Sequence, residues 1–121
     1  MIEYFTKEEF ECNCGCGESN MDEHFIFLLN VIRHIVGKPF IVVSGWRCKV
    51  YNNKVSITGY DGPHTTGRAV DIRAGSRLRA EIIKIAVSLG ISRFGIGSTF
   101  IHLDDLADVD GFDADVIWLY Y

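Results

Sequence analysis

Apolar residues recur along this chain in short blocks whose spacing switches between helical and alternating. Phe25, Leu28, Leu29, Ile32 and Ile35 repeat at helical intervals, and Gly37 followed by Pro39 stops the run, so the spacing predicts a helix over residues 22–36. "FIVVS" (40–44) is short and β-branched, which predicts a buried strand. Residues 45–63, "GWRCKVYNNKVSITGYDGP", carry Gly, Asn, Asp and Pro and predict a long loop with one helical turn. Loops that long in small domains are usually functional or mobile. "RAVDIRA" (68–74) predicts a second strand, and Ser76 is a candidate cap for a helix running to about Leu89, where Gly90 ends it. "SRFGIG", "FIHLD" and "VIWLY" predict three further short strands, and Thr6 with Glu9 matches a capping box at a short helical turn. Strands and helices do not alternate regularly. The expected class is therefore α+β, with a small mixed or antiparallel sheet and helices packed on one side.

Two strands break their own apolar pattern. Asp71 stands between Val70 and Ile72, and His102 between Ile101 and Leu103. Side chains alternate across a strand, so both polar residues point away from their aliphatic neighbours. If the strands are adjacent, Asp71 and His102 share the less apolar face. His64 arrives from the preceding loop, which Gly67 allows to turn back. Two imidazoles and one carboxylate leave a fourth tetrahedral position open, as catalytic zinc sites do and closed structural sites do not. Spacing alone leaves a second reading open, in which the histidines are hydrogen-bonded core residues. His24 and His34 lie on the first predicted helix without a matching carboxylate and read as ordinary helix residues.

Composition narrows the classes. The chain has 121 residues, 48% of them hydrophobic and 12% aromatic, enough for one compact domain over 1–121. A formal charge of −4 lacks the basic footprint of a nucleic-acid binder. No apolar stretch approaches the roughly 18 residues of a membrane span. The acidic, amphipathic start "MIEYFTKEEF" is unlike a secretory leader, so the expected product is soluble and cytoplasmic as synthesised. Cys12, Cys14, Cys16 and Cys48 are the four cysteines. Reduced thiols, an accessory metal cluster and disulfides all remain open for them, and C-x-C-x-C is not the usual zinc-knuckle spacing.

"SGWRCKVYN", "HTTGRAVDI" and "FIHLD", in that order, resemble the D-alanyl-D-alanine carboxypeptidase family of zinc peptidases. That family includes phage endolysins that cleave peptidoglycan stem peptides, and it shares its fold with the hedgehog signalling domain. The resemblance runs from about Thr6 to Asp104 and rests on the motif order S-G-x-R, H-x6-D, H. It implies Zn2+ as cofactor, with His64, Asp71 and His102 as ligands. It also implies that Arg47, assisted by Ser44, binds a substrate carboxylate, a task suited to the planar guanidinium fork. The implied partner is a peptidoglycan peptide, hydrolysed at the cell wall after release or from a virion. One departure matters. Many members carry Glu or Asp three residues before the last histidine as the base, and here that position is Thr99. Asp104, on the same strand face as His102, is the first candidate to replace it, and Asp105 could reach in from the turn. The rival readings are a zinc-bearing recognition module without turnover and a thiol-based metal sensor or redox protein built on the cysteines.

Overall fold

The computed structural model describes residues 3–120. Helix α1 (Glu23–Val36) is capped by Asp22, whose side chain accepts from the Phe25 amide, and it ends at Gly37 in the left-handed region. Strand β1 (Val42–Ser44) follows, then α2 (Lys49–Val55), β2 (Ala69–Arg73), α3 (Ser76–Ser88), β3 (Arg93–Ile96), β4 (Phe100–Asp104) and β5 (Val116–Leu119). Short 3-10 turns occupy Lys7–Phe10, Pro63–Thr66 and Asp108–Asp110. In the first of these Glu9 Oε1 accepts from the Thr6 amide at 2.9 Å, the bond expected of the Thr6–Glu9 pair.

The five strands form one sheet in the order β1-β2-β4-β3-β5. All neighbours are antiparallel except β3 and β5, which run parallel. The class is thus α+β with a mixed sheet. Val70, Ile72, Phe94, Ile101 and Leu103 pack from the sheet against Phe25, Leu29 and Ile32 of α1 and Ile82 and Ala86 of α3. Each of these side chains is essentially out of contact with water, and burying each one larger than Ala86 stabilises the fold by about 1.5–3 kcal/mol relative to exposure. Among the described residues no helix is long and apolar enough to cross a membrane.

Two expectations change. The 45–63 stretch contains the two-turn helix α2 rather than a single turn, because Asn52, a loop-forming residue by composition, is buried at its centre. Its side-chain amide donates to Thr58 Oγ1 (2.9 Å) and the Gly59 carbonyl (2.7 Å), tying the helix to the turn that follows it. Ser76 does not cap α3. Gly75 occupies that position, without a side-chain cap.

Candidate metal centre

The register places a row of residues across the sheet: Ser44 opposite Asp71, Asp71 opposite His102, His102 opposite Gly95, and Gly95 opposite Trp118. Asp71 and His102 point away from the helical layer, as alternation requires, and the register shift between Val42 and Ser44 brings Ser44 onto the same face. His64 joins them from the turn Pro63–Thr66, which lies just before β2. The turn closes through Gly67, at φ +78, where an added Cβ would meet the Asn20 carbonyl oxygen at 2.2 Å. Only glycine fits both the conformation and the contact.

His64 and His102 are almost fully buried, and Asp71 nearly so. Their ligand-capable atoms lie within 4.8 Å of one another. The Gly45 carbonyl accepts from His64 Nδ1 at 2.7 Å, which leaves the Nε2 lone pair facing Asp71 Oδ1 at 3.3 Å. His102 Nε2 donates to Asp104 Oδ2 at 2.7 Å, and its Nδ1 faces Asp71 Oδ1 at 2.9 Å. Each ring is therefore anchored through one nitrogen while the other converges on one carboxylate, the way metal-ligating histidines are oriented. The donor set, two imidazoles and a carboxylate converging with a position left over, fits a zinc ion.

Electrostatics support convergence on a cation. Burial pushes the His64 pKa down. For His102 burial acts the same way, but the flanking Asp104 and Asp71 carboxylates outweigh it and raise the pKa. Burial also opposes the charge on Asp71, yet the flanking His102 and His64 rings hold its carboxyl well below the usual range. A carboxyl depressed in the folded state stabilises it fully above the ordinary value near 3.8, and that stability disappears as pH falls through the folded-state pKa. Chelator-treated protein is accordingly expected to lose urea resistance on acidification below that value. Asp71→Asn should show a shallower slope, and an equal slope in both would contradict the assignment.

Arg47 is held beside the centre by its own partners. Its Nε donates to Ser44 Oγ at 3.1 Å and Nη1 to Asn52 Oδ1 at 3.1 Å, while Nη2 lies 3.7 Å from Asp71 Oδ2. Sequence reasoning placed Arg47 and Ser44 together but did not find Asn52, the α2 residue that fixes the guanidinium. Arg47, His64, Asp71 and His102 line a cleft of about 440 Å³.

A family model for peptidase M15 matches residues 3–104. The chain belongs to the peptidase M15 family. A search of curated proteins returns no match. M15 peptidases are zinc-dependent metallopeptidases, and the His64, Asp71 and His102 group is one that could hold the metal.

Asp104, the first candidate for the base, lies beside His102 with both of its carboxylate oxygens engaged. Its side chain is wholly buried. Oδ1 accepts from Arg93 Nε at 2.7 Å and from the Leu106 amide at 3.2 Å, and Oδ2 is taken by His102. Neither oxygen is free to face a substrate, and Asp104 is absent from the cleft wall. Asp105 turns elsewhere and pairs with Arg68 at 2.8 Å. Thr99 is exposed in the turn between β3 and β4 and also lies off the cleft wall. Among the described residues, Asp71 is the one carboxylate lining the cleft.

The family match ends where β4 ends, but the cleft does not. Phe112, Trp118, Leu119 and Tyr120 supply one wall from the last part of the chain. Trp118 lies over His102, ring centroids 5.1 Å apart, and a Cβ at Gly95 would meet Trp118 Nε1 at 2.5 Å. The glycine makes room for the indole. Burial raises the Tyr120 pKa, so its phenol stays protonated. Alternation in "VIWLY" puts Trp118 and Tyr120 on one face. That signal was in the sequence, but only the β3–β5 pairing shows which face meets the site.

Proposed function

We propose that this M15 peptidase hydrolyses a peptide bond in peptidoglycan stem peptides or cross-links, with zinc held by His64 Nε2, Asp71 and His102 Nδ1. The observation that carries the reading is the convergence of these three donors beside a pre-oriented arginine at the floor of one cleft. Bound zinc supplies Lewis acidity, polarising a scissile carbonyl and lowering the pKa of water toward about 7. Arg47 grips the substrate carboxylate through the edge of its guanidinium not held by Ser44 and Asn52, setting which bond lies over the metal. Trp118 and Phe112 exclude water from one side of that bond. Tyr120, protonated at neutral pH, is a hydrogen-bond donor for charge developing on the carbonyl oxygen.

In this reading Asp104 orients His102 and Arg93 fixes Asp104. Asp104→Asn is expected to weaken zinc binding about 10–100-fold, the usual effect of removing a ligand's hydrogen-bond partner. The acidic limb of the pH–rate profile should stay in place when zinc saturates. Unchanged zinc affinity with a lost acidic limb would make Asp104 the base instead.

The test of Arg47 uses paired stem peptides with a free or an amidated terminal carboxylate. The protein should prefer the free acid by about 10–100-fold in kcat/KM, the value of a charge-assisted hydrogen bond, and Arg47→Ala should abolish the preference. A preference that survives the substitution would remove Arg47 from carboxylate recognition. One observation favours a second reading, a zinc-bearing recognition module without turnover: no carboxylate besides Asp71 lines the cleft among the described residues. Binding of the free-acid peptide without its cleavage would select it. A phage lysis or virion enzyme is the setting we propose for the catalytic form, on the motif resemblance.

A further inference from the structure

A second cluster of metal-capable side chains lies away from the cleft and plays no part in the chemistry above. We propose that Cys12, Cys14, Cys16 and Cys48 form a closed four-thiolate site for a thiophilic divalent cation, zinc, which ties the N-terminal segment to the loop carrying Arg47. All four Sγ atoms lie within 4.8 Å of one another and all four cysteines are free. Cys48 Sγ is 3.9 Å from both Cys12 Sγ and Cys14 Sγ. Four sulfurs placed tetrahedrally around zinc at about 2.3 Å would stand about 3.8 Å apart. The observed spacing is the edge of that tetrahedron, too long for a disulfide and right for a shared ion.

The backbone is folded to produce this convergence. In an extended strand, alternate residues recur roughly 6.8 Å apart, and three cysteines in C-x-C-x-C could not share one ion. Here the chain curls. The Gly15 amide donates to the Cys12 carbonyl at 3.3 Å, with Gly15 at φ +90, and the Cys12 amide donates to the Glu18 carbonyl at 2.9 Å. The Cys48 amide donates to Cys12 Sγ at 3.4 Å. Four soft sulfur donors and no open position select zinc in its structural, closed mode over the hard cations. Binding displaces the thiol protons to solvent, so no oxidant or reductant is involved.

The location gives the site a consequence. Cys48 directly follows Arg47, and the Trp46 amide donates to the Phe10 carbonyl at 3.0 Å. Asn13 adds a side-chain bond to the Val43 carbonyl at 3.2 Å. The ion would close a cross-link between residues far apart in sequence, on the segment that presents the guanidinium to the cleft.

The experiment uses the full chain, stripped by chelator under reducing conditions and refilled with zinc alone. Two ions per chain are expected, one for each metal-capable cluster. His102→Ala should retain one ion and still gain thermal stability on zinc addition, because its remaining ion sits on sulfur. The double variant Cys14→Ser/Cys16→Ser should also retain one ion, without a sulfur-to-metal charge-transfer band when cobalt replaces zinc. Cys14 and Cys16 are exposed, so serine there removes ligands without opening the core. Three results would overturn the proposal: no charge-transfer band in the cobalt form of the unaltered chain, thiols that alkylate equally fast with and without zinc, or His102→Ala protein indifferent to zinc. None of these depends on whether the cleft is a peptidase.

Discussion

His102→Ala is expected to abolish peptidase activity and remove the cleft's zinc in one step. His102 occupies the centre of the arrangement, with Nδ1 toward Asp71 and Nε2 anchored on Asp104. Without it, two protein donors remain, fewer than the three of an open catalytic site. The loss of affinity should exceed the roughly 10–100-fold that follows from disturbing a ligand's support alone. Equilibrium dialysis and turnover, read on the same preparation, should fall together. Because the proposed thiolate site keeps its own ion, the diagnostic quantity is the change in zinc per chain. A variant that cleaves at the original rate would remove His102 from the metal centre.

Arg93→Ala is expected to be the most destabilising single change near the site. Arg93 Nε meets Asp104 Oδ1 at 2.7 Å, and their side chains are 8% and 0% exposed. Removing one member of a buried pair strands the other charge and costs about 3–5 kcal/mol. The guanidinium also lies over the rings of Phe112 and Trp118, at 5.3 and 5.1 Å from their centroids. Its loss therefore loosens the aromatic wall together with Asp104. Arg68→Ala is the control. Arg68 pairs with Asp105 and Asp110 but is 30% exposed, and a pair so open to water contributes about 1 kcal/mol or less. Urea titration should lower the Arg93→Ala midpoint well below that of Arg68→Ala at a similar m value. Equal midpoints would mean that the buried pair is not what holds this end of the sheet.

Most of this architecture could be read from periodicity. The long helices and all five strands announce themselves through apolar spacing, and their ends follow from Asp22, Gly37 and Gly90. Asp71 and His102 were conspicuous because each interrupts an aliphatic strand, and strand alternation then assigns them one face. What escaped was mostly long-range. Nothing in the apolar spacing says that Arg93 lies opposite Asp104 across the β3–β4 pair, and the shorter-range bracing of Arg47 by Asn52 depends on a helix that the loop-like composition of residues 45–63 concealed. The surroundings of Asp104 were hidden for the same reason. Its position two residues after His102 gives the right face, but only the packed structure shows both oxygens engaged. The cysteines stayed open between thiols, a metal cluster and disulfides because Cys48 is distant in sequence from Cys12, Cys14 and Cys16, and only the fold, with Gly15 turning the segment, brings the four together.

On the proposed function the cleft is a working zinc peptidase centre. Zinc-loaded protein incubated with purified peptidoglycan, with and without a chelator, tests it most directly, with released fragments read by mass spectrometry. New peptide termini that disappear on chelation and return with added zinc are expected. Intact stem peptides across several peptidoglycan types, with zinc retained in the cleft, would contradict it.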